Sequence, residues 1–439
     1  MPSRSGGDRA AGTLILGAGQ AGLQTAVTLR QLGDTEPITL IGEEAHAPYQ
    51  RPPLSKEFLT GGAGEDALAL RTPAFYADAD ITLVRGARID TLRLDTGACA
   101  SVLAPGAPIG LATASTGRSF PFARLVLTPG AAPRRLQVPG SELTGVCYLR
   151  DRDDAVDLKI RLAAAQRVVV IGGGFIGLEA AAAARALGKH VTVVEAADRL
   201  IGRAVAPGVS EFYRRAHIRR GTPVVLNAAV TAIEGRRGRV AAVRLADGTR
   251  LAADLVMVGI GVVPRTELAE QLGLACDRGI LVDEYARTSM KNVVAAGDCT
   301  VQPHPRTGEG RVRIESVQNA VAQAAIAAAT LLGRPPQAPP VPWFWSHQGD
   351  LKLQIAGLST GYDTAVLRGD PDSERFSVLY YRADELLAID AVNSPADYML
   401  VRKLLTHGGT IPADLAATPT PLKLLATAGA AASAREPVA

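Results

Sequence analysis

Cysteine, histidine, aromatic residues and long apolar runs are all in short supply in this chain, and each shortage removes a class of function. The 4 cysteines, Cys99, Cys147, Cys276 and Cys299, are scattered, with no CxxC or CxxxxC pair. That excludes a disulfide framework and a cysteine-based zinc site. The 6 histidines, His46, His190, His217, His304, His347 and His407, show no metal-ligand spacing either, so no metal is expected. The longest apolar stretches, LVMVGIGVV and the Ala-rich run from Val321 to Leu332, fall short of the roughly 18 to 20 residues a membrane span requires. The opening MPSRSGGDRAAG runs into a strand at Thr13 without an apolar signal region, and a cytoplasmic location is the expectation. A formal charge of +4 without a dense Lys/Arg block and interleaved aromatics argues against nucleic-acid binding and leaves room for an acidic protein partner.

What the sequence does have is glycine in a particular arrangement. TLILGAGQAG carries Gly17, Gly19 and Gly22, and VVVIGGGFIG carries Gly172, Gly174 and Gly177. Each follows a short apolar run and opens a helical stretch. In such a turn the first glycine permits the tight bend, the second lets backbone approach a pyrophosphate, and the third lets helix and strand pack closely. The phosphate then sits on free amides at the positive end of the helix. An acidic residue follows each returning strand, Glu43 in the first unit and Glu195 in the second, where a ribose diol needs an acceptor. Two such units in one chain of 439 residues predict two different dinucleotides and an α/β protein of two or three domains. A carboxylate at Glu195 would repel a 2′-phosphate, which predicts NADH over NADPH.

The pattern predicts strands at Thr13–Leu16, Ile38–Ile41, Val168–Ile171 and Val191–Val194, with helices over 20–32 and 175–187. VAAVRLADGTRLAADLVMV alternates around Asp247-Gly248 and reads as a β-hairpin. The Pro-, Gly-, Ser- and Thr-containing stretch from Leu103 to Gly117 reads as a surface loop. After the proline-rich LLGRPPQAPPVP, short alternating runs predict a C-terminal α+β domain. The expected organisation is a first nucleotide domain over 1–150 and 278–336, a second over 151–277, the α+β domain over 337–425, and a tail over 426–439.

PYQRPPLSKEF, Pro48 to Phe58, adds specificity. Together with GGGFIGLEAA, EAADRLIGRAVAP, VVAAGDCT, RIESVQNAVAQA and PWFWSHQGDLKLQIAG, it makes the chain resemble the FAD- and NADH-dependent ferredoxin reductases of bacterial cytochrome P450 and dioxygenase systems. The resemblance runs from about residue 12 to 420 and implies two Rossmann-like domains in a glutathione-reductase-like architecture plus the C-terminal α+β domain. It assigns Gly17, Gly19, Gly22, Glu43, Arg51, Lys56, Arg134, Asp298, Val317 and Trp345 to FAD. Gly172, Gly174, Ile176, Gly177, Glu195, Arg203 and Gly261 go to NADH, and Lys56, Glu179 and Trp345 to the hydride-transfer centre. A physical account supports Lys56 and Glu179 as a pair: Glu179, two positions after the last glycine, can face inward from the first turns of its helix, a buried carboxylate there needs a cation, and the resemblance implies that Lys56, beside the flavin, supplies it. Two departures stand out, His347 where the family commonly has Asp, and a TPG turn at Thr128–Gly130 in place of ATG.

Disulfide reductases and thiol-dependent NADH oxidases of similar architecture place a redox cysteine near the flavin, whereas this chain has RPPLSKEF there. Cys299 beside Asp298 reads as a small buried residue at a tight turn. With no internal thiol relay, electrons are expected to leave singly to a docked acidic [2Fe–2S] ferredoxin, the reductase being a monomer or weak dimer. Arg306, Arg311, Arg402 and Lys403 are candidates for a basic docking surface. The rival readings are an NADH oxidase or small-molecule reductase, and an NADH-sensing protein like apoptosis-inducing factor, a more distant relative.

Overall fold

A computed structural model describes residues 11–95, 107–308 and 310–426. The chain divides into two compact units. The first, from Met1–Gln50, Leu68–Ala132 and Val263–Pro340, is built on a parallel sheet in the order Val293–Ala295, Arg124–Leu127, Thr13–Leu16, Ile38–Ile41, Ile81–Val84. The TLIL strand is buried along its whole length, as expected of a parallel strand covered on both faces. Its side chains alternate: Ile15 joins a core with Leu23, Val27 and Ile326 from the helices Gln20–Gln31 and Val317–Leu331. Leu14 and Leu16 face the other way, onto Leu92, Ala112 and Phe122.

Those three come from a small antiparallel sheet, Ile89–Leu94, Gly110–Ala114 and Ser119–Phe122, and here the sequence reading needs correction. The expected loop from Leu103 to Gly117 contains the central strand of that sheet, Gly110–Ala114, while its first residues, 103–106, lie outside the described ones. Turn-forming composition concealed an alternation of small residues, with Ala112 and Ala114 turned inward. A Cβ on Gly110 would sit 2.5 Å from both the Arg93 carbonyl oxygen and the Phe122 ring, so glycine here permits close strand packing and does not mark a loop.

The second unit comprises Arg51–Ala67, Pro133–Val262 and Val341–Ala439. Its parallel sheet runs Val224–Val225, His190–Val194, Arg167–Ile171, Leu255–Val258, Val146–Tyr148, with the helix Phe175–Ala186 following the third of these. The hairpin forms as expected, Arg239–Leu245 pairing antiparallel with Arg250–Ala252 around Gly248 at φ +87°. The C-terminal part is a five-stranded antiparallel sheet, Trp343–Gln348, Leu351–Gly357, Glu385–Val392, Arg375–Arg382, Thr364–Asp370, covered by the helix Pro395–Thr406. Its edge strand Trp343–Gln348 packs on Phe175–Ala186. The strand's period of two buries Ser346 and Gln348 and leaves Trp345 and His347 half-covered. Pro52 and Pro53 preset a short 3₁₀ turn, Pro52–Ser55, that leads into Glu57–Thr60 and packs on the same helix. Apart from Ala426, the expected tail over 426–439 lies outside the described residues.

Candidate nucleotide and redox site

The two glycine turns are near copies in space. Gly17 has φ +115°, and a Cβ there would stand 2.0 Å from the Thr128 carbonyl oxygen. One on Gly22 would stand 1.9 Å from the Gly17 carbonyl, whereas Gly19 has nothing within 4 Å. In the second turn Gly172 has φ +109° and a Cβ would meet the Gly259 carbonyl at 2.4 Å. Gly177 would meet Gly172 at 2.2 Å, and Gly174 finds its nearest atom only at 4.0 Å. In each turn the outer glycines are filled by the protein's own backbone and the middle one opens on space, the cradle a pyrophosphate requires. Neither helix has a side-chain N-cap, so its first amides are available to an anion.

In the first unit, Thr128 explains the TPG turn. Its hydroxyl donates toward the Leu16 carbonyl at 3.0 Å and the Gly17 carbonyl at 2.9 Å, a clamp on the first glycine turn that alanine could not supply. Glu43 is ion-paired with Arg265, a partner the sequence gave no reason to expect, so a ribose there would share the carboxylate. Asp298 lies half-buried in the turn after Val293–Ala295. Gln323, which sequence reasoning missed, braces that turn: its Oε1 accepts from the Gly297 amide at 2.8 Å and the Thr300 hydroxyl at 2.9 Å. Val317 opens its helix behind the Ser316 cap.

In the second unit, Glu195 is held at the mouth of the glycine turn, Oε2 accepting from the Gly173 amide at 2.6 Å and Oε1 from the Ala197 amide at 2.8 Å. Arg203 reaches over Gly261, its Nη2 3.6 Å from where a Cβ would be, and the Arg134 amide donates to the Gly261 carbonyl at 2.9 Å. Ile176 stands 40% exposed at the start of its helix, an apolar side chain uncovered beside the open glycine. Arg51 donates to the Arg150 carbonyl at 2.8 Å.

The most constrained cluster centres on Glu179, whose side chain is 4% exposed. Lys56 Nζ lies 2.7 Å from its Oε2, and the same oxygen accepts from the Ser55 hydroxyl at 2.5 Å. Ser346 donates to Oε1 at 2.7 Å, and Lys56 also donates to the Pro52 carbonyl at 3.0 Å. The carboxylate is thus satisfied by one cation and two hydroxyls, which allows a charge to persist in a dry place. Ser55 and Ser346 were not foreseen. Across the strand from Ser346, Trp345 stacks on Trp343 at 5.6 Å between centroids, and Arg402 lies 4.5 Å over Trp343. Burial, then Lys56 and Lys352, push the His347 pKa down, so the imidazole is neutral at physiological pH. Burial pushes the Cys299 thiol up to about 12, which keeps it protonated and unreactive. Of the residues considered for a basic surface, Arg311 donates to the Val282 carbonyl at 3.1 Å, and Lys403 sits in the last turn of Pro395–Thr406. No group of three potential metal ligands occurs among the described residues, and none of their helices is long and apolar enough to cross a membrane.

Residues 12–324 match the family model described as pyridine nucleotide-disulphide oxidoreductase, and residues 343–426 match the reductase C-terminal domain. The chain belongs to the pyridine nucleotide-disulphide oxidoreductase family. This oxidoreductase is 44% identical to a rhodocoxin reductase of Rhodococcus erythropolis over 94% of its own length and 93% of the relative's. It superposes on the ferredoxin reductase for the CYP199A2 system of Rhodopseudomonas palustris with a TM-score of 0.87 at 40% identity, covering 94% of this chain and 99% of that one. For a covalent putidaredoxin reductase–putidaredoxin complex the TM-score is 0.90 at 37% identity, over 97% and 100% of the two chains. The resemblance read from the sequence, the α/β class with its C-terminal α+β part, and the pairing of FAD with NAD(H) are borne out.

Proposed function

We propose that this oxidoreductase takes hydride from NADH onto FAD and hands electrons one at a time to an acidic [2Fe–2S] ferredoxin that supplies a cytochrome P450 or dioxygenase. The observation that carries the reading is the buried Lys56–Glu179 pair, with each oxygen of Glu179 satisfied by Lys56, Ser55 and Ser346. FAD, when bound, supplies the change from two-electron to one-electron chemistry. The protein's part is to orient and to exclude water. Gly17, Gly19, Gly22, Glu43, Arg51, Arg134, Asp298 and Val317 would hold FAD, while Gly172, Gly174, Ile176, Gly177, Glu195, Arg203 and Gly261 would hold NADH. With FAD bound, Lys56 would supply a fixed positive charge to the flavin, Glu179 fixes Lys56, and Trp345 would help shield the flavin from water.

Glu195, already bonded through both oxygens to loop amides, is positioned to take a 2′-hydroxyl and repel a 2′-phosphate. We keep the four-part domain order with its first domain interrupted, a monomer or weak dimer, and a cytoplasmic setting. Cys147, Cys276 and Cys299 are free thiols, which suits a reducing compartment.

The test is stopped-flow reduction by NADH followed by addition of candidate carriers. Fast flavin reduction and fast transfer to one [2Fe–2S] ferredoxin, slowing as salt rises, is the expected result. Fast turnover on oxygen or quinones alone would make it an oxidase or small-molecule reductase. Slow reduction with a change of oligomeric state would make it a sensor, and transfer only to a rubredoxin would overturn the [2Fe–2S] assignment.

A further inference from the structure

Glu179 is the end of a hydrogen-bonded line that starts elsewhere in its unit. His217 lies in the helix Pro207–Arg219, on the buried face that also carries Val209, Phe212, Tyr213 and Ala216. Its Nε2 is 2.8 Å from Gln348 Oε1; Gln348 Nε2 is 3.4 Å from Ser346 Oγ; and Ser346 donates to Glu179 Oε1 at 2.7 Å. The amide oxygen can only accept, so His217 carries its proton on Nε2. Every donor then points the same way, toward the carboxylate. His217, Gln348 and Ser346 are 3%, 1% and 0% exposed, so water does not stand in for a missing partner and each bond depends on the one before it. Burial, opposed by the Gln348 bond and aided by Arg220, pushes the His217 pKa down, which keeps the ring neutral. An amide in the middle orients a hydroxyl but does not pass a proton along, so the line fixes geometry and does not conduct.

We infer that His217, acting through Gln348 and Ser346, is a positioning residue that fixes the Glu179 carboxylate and thereby the strength of the Lys56 charge at the flavin. This rests on the role proposed above for Lys56 and Glu179. Without the line, Ser346 is free to turn away, Oε1 loses a donor, and Glu179 neutralises Lys56 more completely, which makes reduced flavin less favourable.

The FAD-loaded enzyme would be compared as wild type, His217→Leu, His217→Gln, Ser346→Ala and the double variant His217→Leu/Ser346→Ala. Two quantities are read: the flavin midpoint potential by dye equilibration with a chemical reductant, and the limiting rate of reduction at saturating NADH, separated from NADH affinity. His217→Leu is expected to cut the limiting rate about 5- to 10-fold, on the scale of one ordinary hydrogen bond, with NADH affinity nearly unchanged. It should also lower the midpoint potential, about 30 mV for a tenfold shift in a two-electron equilibrium. The double variant is expected to be no worse than Ser346→Ala, and His217→Gln, which restores a donor, to recover most of the loss. Additive losses in the double variant, an unrescued His217→Gln, or a native potential in His217→Leu would each overturn the inference. If His217→Leu does not fold, Gln348→Met breaks the line at its middle and is held to the same outcomes. The potential is measured without NADH or ferredoxin, so failure of the proposed electron donor or acceptor leaves this test standing.

Discussion

Replacing Lys56 with methionine isolates the contribution of one buried charge. The methionine keeps the aliphatic length and removes the ammonium, leaving the 4%-exposed Glu179 without a cation. Breaking a buried pair from one side costs about 3–5 kcal/mol. The Ser55 and Ser346 bonds at 2.5 and 2.7 Å remain, and hydrogen bonds to a charged group are worth about 1.5–3 kcal/mol each, so the loss should fall at the lower end, about 3 kcal/mol. For a unit of this size each kcal/mol moves a melting midpoint by about 2–4 °C, a fall of roughly 6–12 °C. The double variant Lys56→Met/Glu179→Gln removes the stranded charge and should recover about 2 kcal/mol of the loss. Thermal and denaturant unfolding of the three proteins gives the numbers, and single-turnover reduction by NADH should slow in Lys56→Met. A Lys56→Met protein as stable as wild type, a double variant no better than the single, or an unchanged reduction rate would refute the reasoning.

Three further outcomes follow from the same geometry. Glu195→Ala should lower kcat/KM for NADH about 10- to 100-fold, the scale of a charged hydrogen bond, while leaving NADPH turnover unchanged or faster; steady-state kinetics with both donors decides. Cys299→Ala should leave NADH-driven flavin reduction unchanged, and thiol-alkylating reagents should not modify this position at pH 7, because burial holds the thiol up to about 12. Burial also pushes Asp390 up to about 7, against about 3.9 for a free aspartate. The folded state therefore keeps a proton that the unfolded chain releases, and stability falls as pH rises from about 4 to 7, by about 1.4 kcal/mol per unit. Asp390→Asn can still accept the Tyr380 hydroxyl's bond and should gain about 3 kcal/mol on wild type between pH 5 and pH 8; denaturant midpoints at the two pH values that shift in parallel would exclude it.

The scaffold is legible in the sequence where local pattern decides it. The strands Thr13–Leu16 and Ile38–Ile41 and the helix starts at Gln20 and Phe175 fall where glycine and apolar runs place them, because strand, turn and helix are there dictated by neighbours in the chain. The Gly110–Ala114 strand was not legible, since its alternation runs through small residues that look like loop. The partners of Glu179 were only half legible. That Glu179 needs a cation follows from its burial, and the resemblance points to Lys56, but the hydroxyls of Ser55 and Ser346, with Gln348 and His217 behind the latter, are joined to it by tertiary packing, and no spacing in the chain links these segments to Glu179. A trace does exist in the strand Trp343–Gln348, where polar Ser346 and Gln348 occupy the alternate positions that a buried face reserves.

The Glu179 carboxylate also sets an order of assembly. Lys56 and Ser55 are made early in synthesis and Glu179 well before the end, but Ser346 belongs to the opening strand of the last sheet. Until that final sheet docks, a growing chain therefore leaves the Oε1 side of the carboxylate to water. The strand that closes the hydrogen-bond shell also brings Trp343 and Trp345 into place, so completion of the redox centre and completion of the fold become a single late event. A nascent or C-terminally shortened chain would accordingly reveal itself as a protein with its nucleotide turns formed and its charge centre still wet.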